Sequence, residues 1–200
     1  NDVEAETNAV FQNLYSGETS VEDVVNMLQR YKASGNKREA DVFACMVHNL
    51  FDEVRFFSKY PTKELRITAV LFGMLVARQL VANTTLGMAL RYVLESLRQP
   101  YPSKMFLFGI VALEQFKDQL SEWPQYCSHI VQIQGIQQAS PELFEAIQSV
   151  VRGNGVGTGS GGGGGAGAAG TKGEGASSAS SAGGGKAEQA FAAGVATATT

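Results

Sequence analysis

The chain has 200 residues, a net charge of −3, two histidines and two cysteines. Its weak acidity argues against sequence-independent nucleic-acid binding, which relies on Lys and Arg to neutralise phosphates. No apolar run approaches the roughly 18 residues that a membrane span requires, so no membrane partner is expected.

Glycine is distributed unevenly. Six of the 23 glycines precede Gly153 and the rest follow from there. Composition therefore predicts a helical domain over residues 1–152 and a disordered Gly/Ser/Ala-rich linker over 153–200. The linker cannot bury enough apolar surface to offset chain entropy. A block of about 150 residues buries roughly 70% of its unfolded surface and needs no disulfide or metal. Asn1–Thr7 is polar and acidic, unlike a signal peptide, so an intracellular piece of a longer protein is expected.

Periodicity predicts helices throughout. The first runs from about Val3 to Tyr15, with Val10, Phe11, Leu14 and Tyr15 on one side and Gly17 as its break. The second opens at Ser20, a good N-cap with Asp23 three residues on, and stops at Gly35. Val21, Val24, Val25, Leu28 and Tyr31 form its stripe. The third spans about Asn36 to Phe57, carries a wide apolar face, and is closed by Tyr60-Pro61.

The fourth begins near Pro61 and is apolar on most sides from Ile67 to Val76, which makes it central. The fifth runs from Thr84 or Thr85 to Leu97, and Pro100 and Pro102 end it. The sixth covers Ser103 to Leu120, and Trp123-Pro124 breaks it. The seventh covers Gln125 to about Ile133. The eighth is capped by Ser140, with Pro141 at the first helical position, and reaches Val151. No segment alternates as a strand does. The fold class is all-α, a HEAT-like α-solenoid of about eight antiparallel helices.

Candidate chemistry is sparse. Cys45 with His48, and Cys127 with His129, can be drawn as a zinc site. Cys127 and His129 point to nearly opposite sides of one helix, which spoils the chelate, so buried thiols beside histidines are expected instead. The glycine run Gly161–Gly165 lacks the preceding strand and following Gly-Lys-Ser/Thr of a phosphate loop. Asp23 and Glu142 fit first-turn positions, and Asp52-Glu53 reads as a solvated face. No nucleophile elbow is present, so no catalytic residue, metal or cofactor is expected.

Two binding readings remain. Lys37-Arg38, Arg55/Lys59, Lys63/Arg66 and Arg91/Arg98 allow an RNA-binding ridge, with Tyr60 or Phe57 for stacking. Solvated surfaces and ion pairs to Asp52, Glu53 or Glu95 are the simpler account. Met27, Tyr31, Phe43 and Val47, with Leu50 beneath, can line a groove between the second and third helices that suits an amphipathic helix. Glu39 or Asp23 on its rim would steer a basic peptide. The plain alternative is that these side chains are core.

Several long strings resemble one family. They include Val21-Glu-Asp-Val-Val-Asn-Met-Leu-Gln-Arg-Tyr-Lys32 and Lys37-Arg-Glu-Ala-Asp-Val-Phe-Ala-Cys-Met46. Asn49-Leu-Phe-Asp-Glu-Val-Arg-Phe-Phe57, Tyr60-Pro61, Lys63-Glu-Leu65 and Leu86-Gly-Met-Ala-Leu-Arg-Tyr-Val-Leu-Glu95 continue the pattern, with Ser103-Lys-Met105 and Pro124-Gln-Tyr-Cys127 after them. Over roughly residues 8 to 132 the chain is similar to the central, tristetraprolin-binding HEAT-like domain of the large scaffold subunit of the Ccr–Not deadenylase complex.

The resemblance implies a non-enzymatic, cytoplasmic module, with mRNA granules and the nucleus as further compartments. Such a module captures short motifs of RNA-binding proteins and so recruits mRNA for deadenylation and translational repression. Other subunits of the complex would dock on the rest of the scaffold. A structural spacer of a long solenoid is the alternative role. Ala82-Asn-Thr-Thr85 departs from the aromatic-containing loop of animal members, which implies a changed ligand set.

Overall fold

The structure, a computed structural model, describes residues 1–155; the linker expected over 153–200 lies outside the described residues from position 156. Nine α-helices and two 3-10 helices, without a strand, make up the described residues. They are α1 (Asp2–Ser16), α2 (Val21–Ala33), α3 (Lys37–Asp52), the 3-10 helix η1 (Glu53–Lys59), α4 (Thr62–Ala77) and α5 (Asn83–Leu97). Next come α6 (Lys104–Gln115), the 3-10 helix η2 (Lys117–Glu122), α7 (Pro124–Ile130), α8 (Gln134–Ala139) and α9 (Pro141–Gly155).

Local chemistry sets the helix ends. The Ser20 hydroxyl accepts from the Asp23 N–H at 3.1 Å, and Asn36 accepts from the Arg38 and Glu39 N–H groups, satisfying donors that have no intrahelical partner. Ser103 does the same for Phe106, and Ser140 for Leu143. Gly17 closes α1 at φ +86°, a left-handed conformation that favours glycine.

Three expected boundaries change. The third helix does not run on as α-helix to Phe57; it tightens into 3-10 geometry at Glu53. The Tyr60 hydroxyl donates to Glu53 Oε2 at 2.8 Å and pins the two ends of that turn together. The sixth helix ends at Gln115 rather than Leu120, because Phe116 leaves helical angles (φ −118°, ψ 23°) to seat its fully buried ring 6.0 Å from Trp123. The seventh ends at Ile130, and a further short helix, α8, follows where only a connection was expected.

The elements stack as a solenoid. α1 packs on α3, α2 on α3 and α4, α4 on α6, and α5 on α6. Lys32, at the end of α2, donates to the Gln79 carbonyl just past the end of α4, and the neighbouring Arg78 donates to Gln29 of α2. The odd-numbered helices α1 and α3 form one layer and α2, α4 and α6 the other. α7, α8, α9 and η2 close the far end of the stack.

One apolar core runs the length of the molecule, with Phe57, Phe72, Phe106, Phe116 and Tyr126 among its largest fully buried members. Phe57, Phe72 and Phe108 meet with ring centroids 5.2–6.5 Å apart and knit η1, α4 and α6. The Tyr126 hydroxyl reaches the Leu90 carbonyl at 2.8 Å, so even this buried polar atom is satisfied.

Candidate functional site

An open cleft of about 280 Å³ lies between α1 and the end of α3. On the α1 wall, Asn8, Phe11 and Tyr15 fall at helical spacing on one flank. Phe11 and Tyr15 stack at 6.3 Å with a 15° interplanar angle. Asn49, Leu50 and Asp52 form the α3 wall, and Glu53 and Tyr60 close the end.

The two helices run side by side in the same direction. Glu6, near the start of α1, binds Arg38 at 3.0 Å near the start of α3. Tyr15, near the end of α1, faces residues at the end of α3.

The tyrosine hydroxyls are held in place. Tyr15 shares a 2.7 Å hydrogen bond with Thr68 on α4, which in turn donates to the Glu64 carbonyl. Burial pushes the Tyr15 phenol above its ordinary pKa, against the opposing effect of the Thr68 hydrogen bond. Burial and the hydrogen bond to the Glu53 carboxylate push Tyr60 up strongly. Both phenols therefore stay neutral across the physiological range. They act as rigid amphipathic walls rather than as acids or bases.

The arrangement suits binding rather than reaction. Apolar rings line the middle, two amides offer donors and acceptors at the rim, and Asp52 adds an exposed carboxylate. The volume falls just below the roughly 300–1,000 Å³ of small-molecule pockets, so side chains from a segment laid across the opening fit better than a free metabolite. No group of three His, Cys, Asp or Glu suited to a metal occurs among the described residues. Cys45 is half-buried on α3 with its sulfur 3.7 Å from the Asn49 amide, His48 is exposed, and Cys127 is buried on α7.

The groove residues expected from sequence distribute differently. Met27, Tyr31, Phe43 and Val47 are half-buried and pack against the core, while Leu50 is only 3% exposed. The Tyr31 hydroxyl donates to Glu6 at 3.2 Å, and the Lys32 ammonium sits 5.9 Å from the Phe43 ring centroid. Val47 and Leu50 line an interior seam with Phe11, Leu28 and Met46 that has no space for a water molecule. Of the five, Leu50 alone is on the wall of the open cleft, which lies on the α1 flank of α3. Asp52-Glu53, expected as a plain solvated face, forms the acidic end of that cleft.

Sequence reasoning placed Phe11 and Tyr15 on one side of the first helix without giving them a role. The available signal was the Asn8, Phe11, Tyr15 spacing, which puts two rings and an amide on one flank. Of the two stacking candidates for RNA, Phe57 is fully buried, and Tyr60 is half-buried with its ring 5.3 Å from Phe57. The expected ion pairs are present: Arg55 to Asp52 at 3.4 Å and Arg91 to Glu95 at 3.6 Å.

Residues 1–155 match the family model described as the CCR4-NOT transcription complex subunit 1 TTP binding domain. The chain belongs to this family. It is 44% identical over 153 residues to general negative regulator of transcription subunit 1 of Schizosaccharomyces pombe, covering 76% of this chain and 7% of that protein. It is 39% identical over 132 residues to the CCR4-NOT transcription complex subunit let-711 of Caenorhabditis elegans, covering 65% and 5%. The Saccharomyces cerevisiae subunit 1 is 34% identical over 147 residues, covering 74% and 7%.

The chain thus spans less than a tenth of the length of these relatives. Among solved structures, the N-terminal domain of the yeast Not1 superposes with a TM-score of 0.72 at 33% identity, over 76% of this chain and 29% of that one. The all-helical solenoid expected from sequence is therefore the family's fold. No described helix is long and apolar enough to cross a membrane.

Proposed function

We propose that the α1–α3 cleft captures a short amphipathic helix from an RNA-binding protein and that the chain acts as a docking module of a deadenylase scaffold. The observation that carries this reading is the cleft itself, an open slot walled by Phe11 and Tyr15 in a family described as TTP binding. Tristetraprolin-like proteins are the ligand class that description supports. The captured protein brings its mRNA, and subunits bound elsewhere on the longer scaffold shorten the poly(A) tail and silence the message. The module does no chemistry itself and acts in the cytoplasm.

Two or three apolar anchors from the ligand, each worth roughly 1.5–3 kcal/mol before ordering costs, set micromolar binding as the upper limit. Asp52 at the end of the slot favours a ligand with a basic residue beside its anchors.

The test is titration calorimetry with a synthetic carboxyl-terminal peptide of tristetraprolin and the full 200-residue chain. Phe11→Ala is expected to weaken binding at least about tenfold, the loss of one anchor site, while Met27→Ala leaves it unchanged. The reverse pattern moves the site to the α2–α3 seam. Absence of binding to the unaltered chain rejects this ligand class.

A further inference from the structure

Four large apolar side chains are exposed among the described residues: Phe56, Met88, Tyr101 and Leu107. Of the two aromatic ones, Phe56 is the one with cations over its ring. The Arg55 guanidinium carbon lies 4.9 Å from its ring centroid and the Lys59 ammonium 5.7 Å. We propose that this turn, η1, contacts single-stranded RNA, with Phe56 as a stacking face and Arg55, Lys59 and Lys63 as phosphate partners.

The charge is locally inverted. The whole chain carries −3, yet residues 52–66 hold Arg55, Lys59, Lys63 and Arg66 against Asp52, Glu53 and Glu64. Glu53 already accepts from Tyr60, and Asp52 sits 3.4 Å from Arg55 in an exposed, weak pair. Lys59, Lys63 and Arg66 take part in no ion pair among the described residues. Lys104 of α6 donates to the Tyr60 carbonyl and adds another cation at the edge of the same turn.

The chemistry selects the partner. Any polyanion answers the cations, but an acidic peptide makes no use of the exposed part of an aromatic ring. An unpaired base does, because every base has a π-face and guanidinium planes extend the platform. A duplex hides its base faces, so a single strand is the fitting form. Glu53 and Tyr60 of the same turn close the end of the peptide cleft. RNA held by a docked protein therefore arrives beside η1. The contact does not depend on peptide capture and is measured without peptide.

The experiment is fluorescence anisotropy with the full 200-residue chain and a labelled oligouridine of about 12 nucleotides, a length within the usual site sizes for single strands. Three phosphate contacts predict affinity roughly 20-fold weaker over a fourfold rise in salt. Phe56→Ala is expected to weaken binding about tenfold, and the Lys59→Glu, Lys63→Glu double variant to abolish it. Lys37→Glu, at the opposite end of α3, leaves it unchanged. All four substituted sites are exposed, and matching circular dichroism melts establish that the variants remain folded. Salt-independent binding, no binding at low salt, or unchanged affinity in Phe56→Ala overturns the proposal. Equal affinity for an oligoglutamate peptide also overturns it and reassigns the patch to an acidic protein.

Discussion

Replacing Phe57 by alanine removes the side chain on which the end of the α1–α3 cleft rests. Phe57 is fully buried and its ring meets Tyr60 at 5.3 Å, Phe108 at 5.2 Å and Phe72 at 6.5 Å. Truncation of a buried Phe costs about 3–5 kcal/mol in transfer and cavity terms. Three aromatic partners place this site in the upper half, since each such pair adds about 0.5–1.5 kcal/mol beyond area burial. The expected loss is about 4–5 kcal/mol, against a total of roughly 5–15 kcal/mol for a domain. For a domain of this size that corresponds to a fall in Tm of about 10–15 °C. Urea melts followed by circular dichroism measure it, with the neighbouring Phe56→Ala as control. Phe56 is exposed, so its truncation stays within about 0.5 kcal/mol. Tyr60 also loses its ring partner, so peptide affinity falls in Phe57→Ala even where the protein remains folded. A loss below about 1.5 kcal/mol refutes the packing account of η1.

Other outcomes follow from single contacts. Gly73→Ala puts a Cβ 2.4 Å from the Ala112 carbonyl oxygen, so α4 and α6 must separate; a cost of about 1–3 kcal/mol is expected in the same melts. Tyr126→Phe removes the buried hydrogen bond to Leu90 and costs about 1 kcal/mol. Asp52→Lys reverses the charge at the end of the cleft, so stopped-flow association of a basic peptide slows most at low salt. Tyr15, Tyr60 and Tyr126 have phenols raised above the ordinary value of about 10. The unfolded chain therefore loses protons first as pH rises: their contribution to stability is complete below about pH 10 and declines above it. Phenolate absorbance should then appear together with unfolding, and a melt insensitive to alkali contradicts the burial of these rings.

Much of the fold is legible because caps and periodicity are local. Ser20, Asn36, Ser103 and Ser140 stand where the helices start, and Gly17 and Gly35 where they stop. The 3-10 stretches were not legible. Apolar spacing of three or four residues is the same signal whether the backbone continues as α-helix or tightens. What decides it at Glu53 is the Tyr60 hydrogen bond, and at Phe116 the Trp123 ring. The position of the open cleft was not legible in the sequence. Periodicity shows that α3 has apolar side chains on more than one flank. Which flank the protein covers depends on contacts between distant elements, such as Glu6 with Tyr31 and Arg38, which close the α2 side.

The position of the cleft follows from which residues face each other across the helix layers. α4 and α6 approach until Gly73 lies against the Ala112 carbonyl. α1 and α3 contain no glycine. Their flanks carry Phe11 and Tyr15 on one side and Asn49 and Asp52 on the other. The Glu6–Arg38 pair at one end and the Tyr15–Thr68 bond at the other fix α1 against the stack without drawing the two walls together. α3 has neighbours on several sides, but α1 begins the described stack and packs chiefly on α3, with lighter contacts to α2 and α4. A ligand helix laid into this slot would cover the aromatic rings much as a further helix of the solenoid would. The cleft is thus the solenoid's own packing rule left unfinished at one seam.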